Sequence, residues 1–233
     1  MRQIVLDTET TGLEVSLGHR VIEIAGVELI NRRLSGRNFH RYLNPERDIE
    51  AGALQVHGIT LEFLQGKPRF SDIGAELLDF LDGAELIIHN APFDVAFLDD
   101  ELKRAGLKAL LECCASVTDT LRMARDLHPG KRNSLDALCE RYQIDNSGRT
   151  LHGALLDASL LAEVYLAMTR GQETLIMDML PEPTTLGTEL SEEIPDLPVL
   201  MASEEELAAH LSQLEDIDKA SKGACLWKSL EPR

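Results

Sequence analysis

The chain has 233 residues, 44% of them hydrophobic, and a formal net charge of −17 at pH 7. That length suffices for one domain with a full core plus an appendage, and the charge argues against a protein that grips nucleic acid with a basic surface. No apolar run approaches the roughly 20 residues of a membrane helix, and Met1 leads straight into an apolar strand, so a cytoplasmic protein without membrane attachment is expected. Cys113, Cys114, Cys139 and Cys225 show no metal-binding spacing, which fits free thiols in a reducing compartment.

Residues 4–13, IVLDTETTGL, open as a buried strand and break off into acid. Asp7 and Glu9 stand two residues apart where a buried strand should avoid charge. RVIEIAGVELI (20–30) alternates as a second strand and GRNFHRYLN (36–44) as a third, with NRRLS as the turn between them. Three strands in succession imply an antiparallel meander. SDIGAELLDFLDG (71–83) has helical spacing, with Ser71 as N-cap and Gly83 as stop. ELIIHN (85–90) is a short buried strand, and APFDVAFLDDELKRAG (91–106) a helix with Pro92 in its first turn and Gly106 past its end. ASVTDT (115–120) is expected as a fifth strand, followed by helices near 119–127, 134–142 and 152–170. Strands first, then strand and helix in alternation, predict an α/β fold: one mixed five-stranded sheet flanked by helices.

The composition changes at Gly171. From Gln172 onward 14 acids face four bases, so the tail carries −10 of the net charge. Residues 178–202 are acidic and proline-rich and read as an extended linker. SEEELAAHLSQLEDIDKA (203–220) reads as a helix capped by Ser203 with Glu206 three residues on. The expected organisation is a domain over 1–171, a short motif at 172–177, the linker, and a partner-binding segment over 203–233.

Two further acids join the first pair. Asp94 lies in the first turn of the 91–106 helix, at the carboxyl end of the strand before it, where α/β sheets usually place their sites. Asp157 lies in HGALLDASLLAEVY, five residues after His152. On a helix those two positions are roughly 140° apart, so both can border one pocket without being stacked. Each acid alone also has a structural reading, as a helix-start acid or as a solvated charge. Four carboxylates brought together would repel one another unless divalent cations neutralise them, and oxygen ligands suit Mg²⁺ or Mn²⁺ better than zinc. Two such ions about 3.5–4 Å apart can clamp the attacking and leaving oxygens of a phosphoryl displacement, and a nearby histidine can take the proton of the attacking water. The predicted reaction is phosphodiester hydrolysis.

VLDTETTGL, HNAPFDVAFL and HGALLDASLLAEVY resemble the three motifs of the DEDDh 3′–5′ exonuclease family, whose members have a ribonuclease H-like fold. Within that family the chain is similar to the proofreading subunits of bacterial replicative DNA polymerases, over residues 1 to about 170 and again at CLWK in the tail. The resemblance implies that Asp7, Glu9 and Asp157 hold one cation, that Asp7 and Asp94 hold a second, and that His152 is the general base. Thr10, Gly12 and Leu13 would contact the last nucleotide of a DNA 3′ end, with Val56, His57 and Phe93 against its base. Asn90 is read either as a substrate contact or as a loop support. Lys131 and Arg132, in HPGKRNS, read best as ordinary surface charge. Gln172, Leu175 and Met177 have the spacing of a sliding-clamp motif, and Leu226 and Trp227 look like anchors for the polymerase catalytic (alpha) subunit. Two rivals remain open: a free-standing DEDDh nuclease, and a non-catalytic adaptor between polymerase and clamp.

Overall fold

The central strand of the first unit is the acid-terminated one. In the computed structural model, which describes residues 1–149, 151–170 and 202–229, β1 (Arg2–Thr10), β2 (Val21–Ile30) and β3 (Arg33–Tyr42) pair antiparallel. β4 (Glu85–Ile88) and β5 (Ser116–Asp119) add in parallel on the other side of β1, giving the order β3-β2-β1-β4-β5. β1 is therefore paired along both edges, and helices cover both its faces, so Ile4, Val5 and Leu6 are all fully buried, which is why the strand begins as an unbroken apolar run. The expected mixed five-stranded sheet is borne out.

Two cores follow from the period of two along β1. Ile4 and Leu6 point to the face covered by α3 (Phe70–Leu81) and α4 (Ala91–Arg104), where Phe70, Leu77, Phe80 and Phe97 pack. Val5 points to the opposite face, under α5 (Thr120–Leu127), α6 (Leu135–Tyr142) and α7 (Ala154–Met168), with Leu138, Leu161 and Val164. Asp7 and Glu9 continue the alternation of Val5 and so begin on the α6–α7 side.

Three local expectations are corrected. The turn between β2 and β3 is not the five-residue NRRLS. Ile30 pairs with Arg33 across a two-residue loop of Asn31 and Arg32, both left-handed (φ 48° and 64°). That geometry matches the twist of the strands it joins. Ser71 does not cap α3; the helix begins at buried Phe70, and Asp72 accepts the Arg69 N–H at 2.9 Å. Two helices, α1 (Ala51–His57) and α2 (Leu61–Leu64), were not anticipated. α1 buries only His57, so it presents no apolar stripe to read.

The chain divides into two units, Met1–Leu180 and Pro181–Arg233. In the second, α8 (Glu204–Ala220) starts at Ser203 with the expected reciprocal cap: Ser203 N–H donates to Glu206 at 2.8 Å, and Glu206 N–H to Ser203 Oγ at 3.3 Å. A short helix, α9 (Leu226–Ser229), follows. Gln172, Leu175, Met177 and the proposed linker lie outside the described residues. Among the described residues no helix is long and apolar enough to cross a membrane.

Candidate active site

The four acids meet at the carboxyl end of β1, reached from both faces of the sheet. β4 ends at Ile88, and the chain reverses through Asn90 in a left-handed conformation (φ 66°) into the Ala91–Pro92 start of α4. This puts Asp94, in the first turn, over the end of the sheet, although α4 packs on the face opposite Asp7. Asp94 is buried and accepts the Thr8 hydroxyl at 2.7 Å. From the other face, α7 begins at Ala154, whose N–H donates to Glu23 Oε2 at 3.1 Å. Asp157 follows in the first turn, also buried. Glu9, His152 and Asp157 offer ligand atoms that all lie within 4.8 Å of one another.

His152 is not on the helix with Asp157, so the 140° relation does not apply. It precedes the Gly153 N-cap, its N–H donates to Val56 O at 3.1 Å, and its half-exposed ring has Nδ1 3.5 Å from Asp157 Oδ2. The loop before α7 is thereby pinned to α1, beside Val56 and His57.

The electrostatics are those of crowded like charges. Burial holds the Asp7 carboxyl well above its ordinary range, and Asp94, Glu9 and Asp157 each push it further. Burial and then Asp157 and Glu23 raise Glu9 to about 8. Asp94 rises to about 7 by burial, against the opposing Thr8 hydrogen bond. Arg149 is the counter-charge. Its guanidinium donates to both oxygens of Asp157 at 2.6 Å, to Asp136 at 2.6 Å and to His152 Nδ1 at 3.0 Å. One guanidinium among so many carboxylates leaves the cluster short of positive charge. A set of carboxylate oxygens with one imidazole fits a hard divalent cation such as Mg²⁺ or Mn²⁺.

Arg149 was missed by the sequence reading, and a lone arginine in a loop carries no pattern that would find it. Glu23 was missed too, although a signal existed: it interrupts the apolar RVIEI run as Asp7 interrupts its own. Glu23 lies directly across from Glu9 in the β1–β2 register, is buried, and also bonds His40 Nε2 at 2.7 Å.

Two cavities flank the acids. The smaller, about 320 Å³, is lined by Glu9 together with Thr10, Gly12, Leu13, Val56, His57 and Phe93. Its size is at the lower end for small-molecule pockets. Leu13 and Val56 are 78% and 45% exposed, so neither is plain core. His57 Nδ1 accepts the Ile59 N–H at 3.0 Å, which leaves the proton of the neutral ring on Nε2. Burial lowers the His57 pKa and favours that neutral form. His57 Nε2 is the one buried side-chain nitrogen or oxygen without a hydrogen-bond partner among the described residues. Asn90 lines neither cavity; its side chain is exposed and its N–H donates to Asp119 at 3.2 Å. The larger cavity, about 730 Å³, holds Asp7, His152 and Asp157 with the cations Arg125, Lys131 and Arg149. Lys131 is exposed and borders this cavity, whereas Arg132 is absent from its lining. In the second unit Leu226 and Trp227 are 76% and 66% exposed.

Comparison with known proteins agrees with this geometry. The RNase_T exonuclease family model matches residues 4–165. The DNA polymerase III subunit epsilon of Salmonella typhimurium is 54% identical over 240 residues, covering 98% of each chain. That of Pasteurella multocida is 52% identical over 238 residues, covering 97% of this chain and 93% of its own. Among solved structures, exonuclease X in complex with 5′ overhanging duplex DNA superposes with a TM-score of 0.55 at 25% identity, over 71% of this chain and 90% of that one. The sheet order and these neighbours are those of the ribonuclease H-like fold. A family model spanning the whole sheet, with relatives more than half identical along nearly the full length, leaves one placement: the chain belongs to the exonuclease family, in the branch of the DNA polymerase III epsilon subunits.

Proposed function

We propose that the chain is the proofreading 3′–5′ exonuclease of a replicative DNA polymerase, hydrolysing the terminal phosphodiester of a single-stranded or mispaired 3′ end. The observation that carries the reading is the meeting of Asp7, Glu9, Asp94 and Asp157 at one end of β1, three of them with raised proton affinity. Asp7, Glu9 and Asp157 would hold one divalent cation, and Asp7 and Asp94 would hold a second. Such ions supply neutralisation of the phosphate charge and polarisation of the attacking water. His152, at the half-exposed rim, takes the proton of that water.

The terminal nucleotide occupies the 320 Å³ cavity. Leu13, Val56 and Phe93 give apolar contact that any base can use. Gly12 lets the backbone approach the sugar and phosphate, Thr10 lines the same wall, and the unpaired Nε2–H of His57 is a donor for a substrate oxygen. The exposed Leu226 and Trp227 dock on the polymerase catalytic subunit, and residues 172–177 on a sliding clamp. Tethering of this kind raises the local concentration of nuclease at the primer end without a tight site, which suits a chain of net charge −17.

The test is nucleotide release from a 5′-labelled mismatched primer with Mg²⁺ or Mn²⁺ present. Wild-type chain is expected to shorten the primer from its 3′ end, and Asp157→Asn to be slower by about 10²–10³-fold or more. A wild-type preparation that releases no nucleotide points instead to the adaptor reading. Removal of residues 200–233 is expected to abolish polymerase binding and leave nuclease activity on single strands; retained binding defeats the tether.

A further inference from the structure

Arg149 has the least conventional position in the site. Its side chain is 6% exposed, and it takes one N–H to each oxygen of Asp157, both at 2.6 Å. The Nη2 that reaches Asp157 Oδ2 is also 3.0 Å from His152 Nδ1. A guanidinium only donates, so Nδ1 accepts and the proton of the neutral ring is on Nε2; the ring can take up a further proton only once Arg149 gives up Nδ1. Arg149 therefore orients both the carboxylate and the imidazole. On its far side Nη1 donates to Asp136 at 2.6 Å, and Asp136 is 55% exposed. Asp136 belongs to the first turn of α6, so this anchor does not depend on Asp157.

We infer that Arg149 is a positioning residue that shares Asp157 with the divalent cation: it holds Asp157 and His152 together in the unloaded site, and it yields Asp157 oxygen, and with it His152 Nδ1, to an incoming ion while staying anchored on Asp136. The inference rests on the ligand assignment proposed above. Two facts carry it. Asp157 is a member of the only three-residue group among the described residues whose ligand atoms all approach within 4.8 Å, and both its oxygens are already engaged by the same cationic side chain. An ion seated on that group would stand within a few ångströms of the guanidinium, where like charges repel. The cation and Arg149 must then compete for Asp157, so the arginine sets how tightly the ion is held.

Competition and plain structural support predict opposite signs. In the full chain, Arg149→Gln is expected to lower the Tm in EDTA, because a buried carboxylate loses its partner. The same variant is expected to bind Mn²⁺ about tenfold more tightly by calorimetric titration. Arg149→Lys, which keeps the charge but not the bidentate fork, is expected to fall between wild type and Arg149→Gln, and it serves if the glutamine variant does not fold. Arg125→Ala, which removes a cation from the same cavity, is expected to tighten Mn²⁺ binding by less than Arg149→Gln. Unchanged or weaker Mn²⁺ binding in folded Arg149 variants overturns the inference, as does an equal gain in Arg125→Ala, which would reduce it to bulk charge. Absence of Mn²⁺ binding by the wild-type chain overturns the ligand assignment itself, and the inference with it.

Discussion

At the scale of single residues, the site is a place where protons and cations compete for the same oxygens. Glu9 has a folded pKa near 8 against an ordinary 4.5, and Asp94 one near 7 against 3.8. Between those values the folded chain keeps protons that the unfolded chain has released. The stability they contribute is complete below the unfolded values and is lost as pH rises through 7 to 8. The Tm in EDTA is therefore expected to fall between pH 5 and pH 8.5, and Mg²⁺ to flatten that fall; a Tm in EDTA that climbs through this window contradicts the raised values. Asp7 and Glu9 were legible in the sequence because a charge ending an apolar run has an evident cost. Asp94 was legible from its place at a helix start, and Asp157 from its spacing after His152. Glu23 obeys the same logic as Asp7 but sits inside an alternating strand, where one acid passes for the solvent-facing half of the pattern. Arg149 was invisible because its role depends on how the α6–α7 connection folds back over α7.

At the scale of elements, the two walls of the small cavity are joined by hydrogen bonds. Thr11 Oγ1 and His19 Nδ1 are 3.0 Å apart, His19 Nε2 lies 3.0 Å from Glu50, and Glu50 N–H donates to Thr11 O at 2.9 Å. His19 is buried and lies against Gly12, where an added Cβ would collide with its ring. Gly12→Ala must therefore displace the Thr10–Leu13 loop. A stability loss of about 1–3 kcal/mol is expected, with kcat/KM on single-stranded DNA lower by about 10²-fold from misplacement of the substrate end. Mn²⁺ binding should be unchanged, because the acids are untouched; an equal loss of metal binding would show that the loop and the acids move as one. The strands and long helices were readable because β1 opens as an apolar run, β2 alternates, α3 carries apolar residues at helical spacing and α4 has Pro in its first turn with Gly past its end. α1 and α2 were not, being short, largely exposed and held by neighbours. The β2–β3 loop was overestimated because Arg32, in a left-handed conformation, is not a residue that announces a two-residue turn.

At the scale of the whole molecule, the charge is unevenly shared. The net −17 is mostly in the tail, while Arg125 and Lys131 line the larger cavity beside the acids. Replacing both by alanine is expected to raise KM for single-stranded DNA about tenfold with little change in kcat, and to reduce the salt dependence of kcat/KM by roughly one to two phosphate contacts. An unaltered salt slope would return Lys131 to ordinary surface charge. The composition changes at Gly171, whereas the first unit runs to Leu180.

The placement of Asp94 and Asp157 on helices from opposite layers has one more consequence. Among the described residues the two hydrophobic cores lie on opposite faces of the sheet, α4 against one and α7 against the other. Cations held by these acids would rivet the layers at the sheet's carboxyl end, much as a disulfide closes a loop between distant segments. Amide hydrogens in the first turns of α4 and α7 should then slow their exchange together when Mn²⁺ is added, while those of α3 stay as they were.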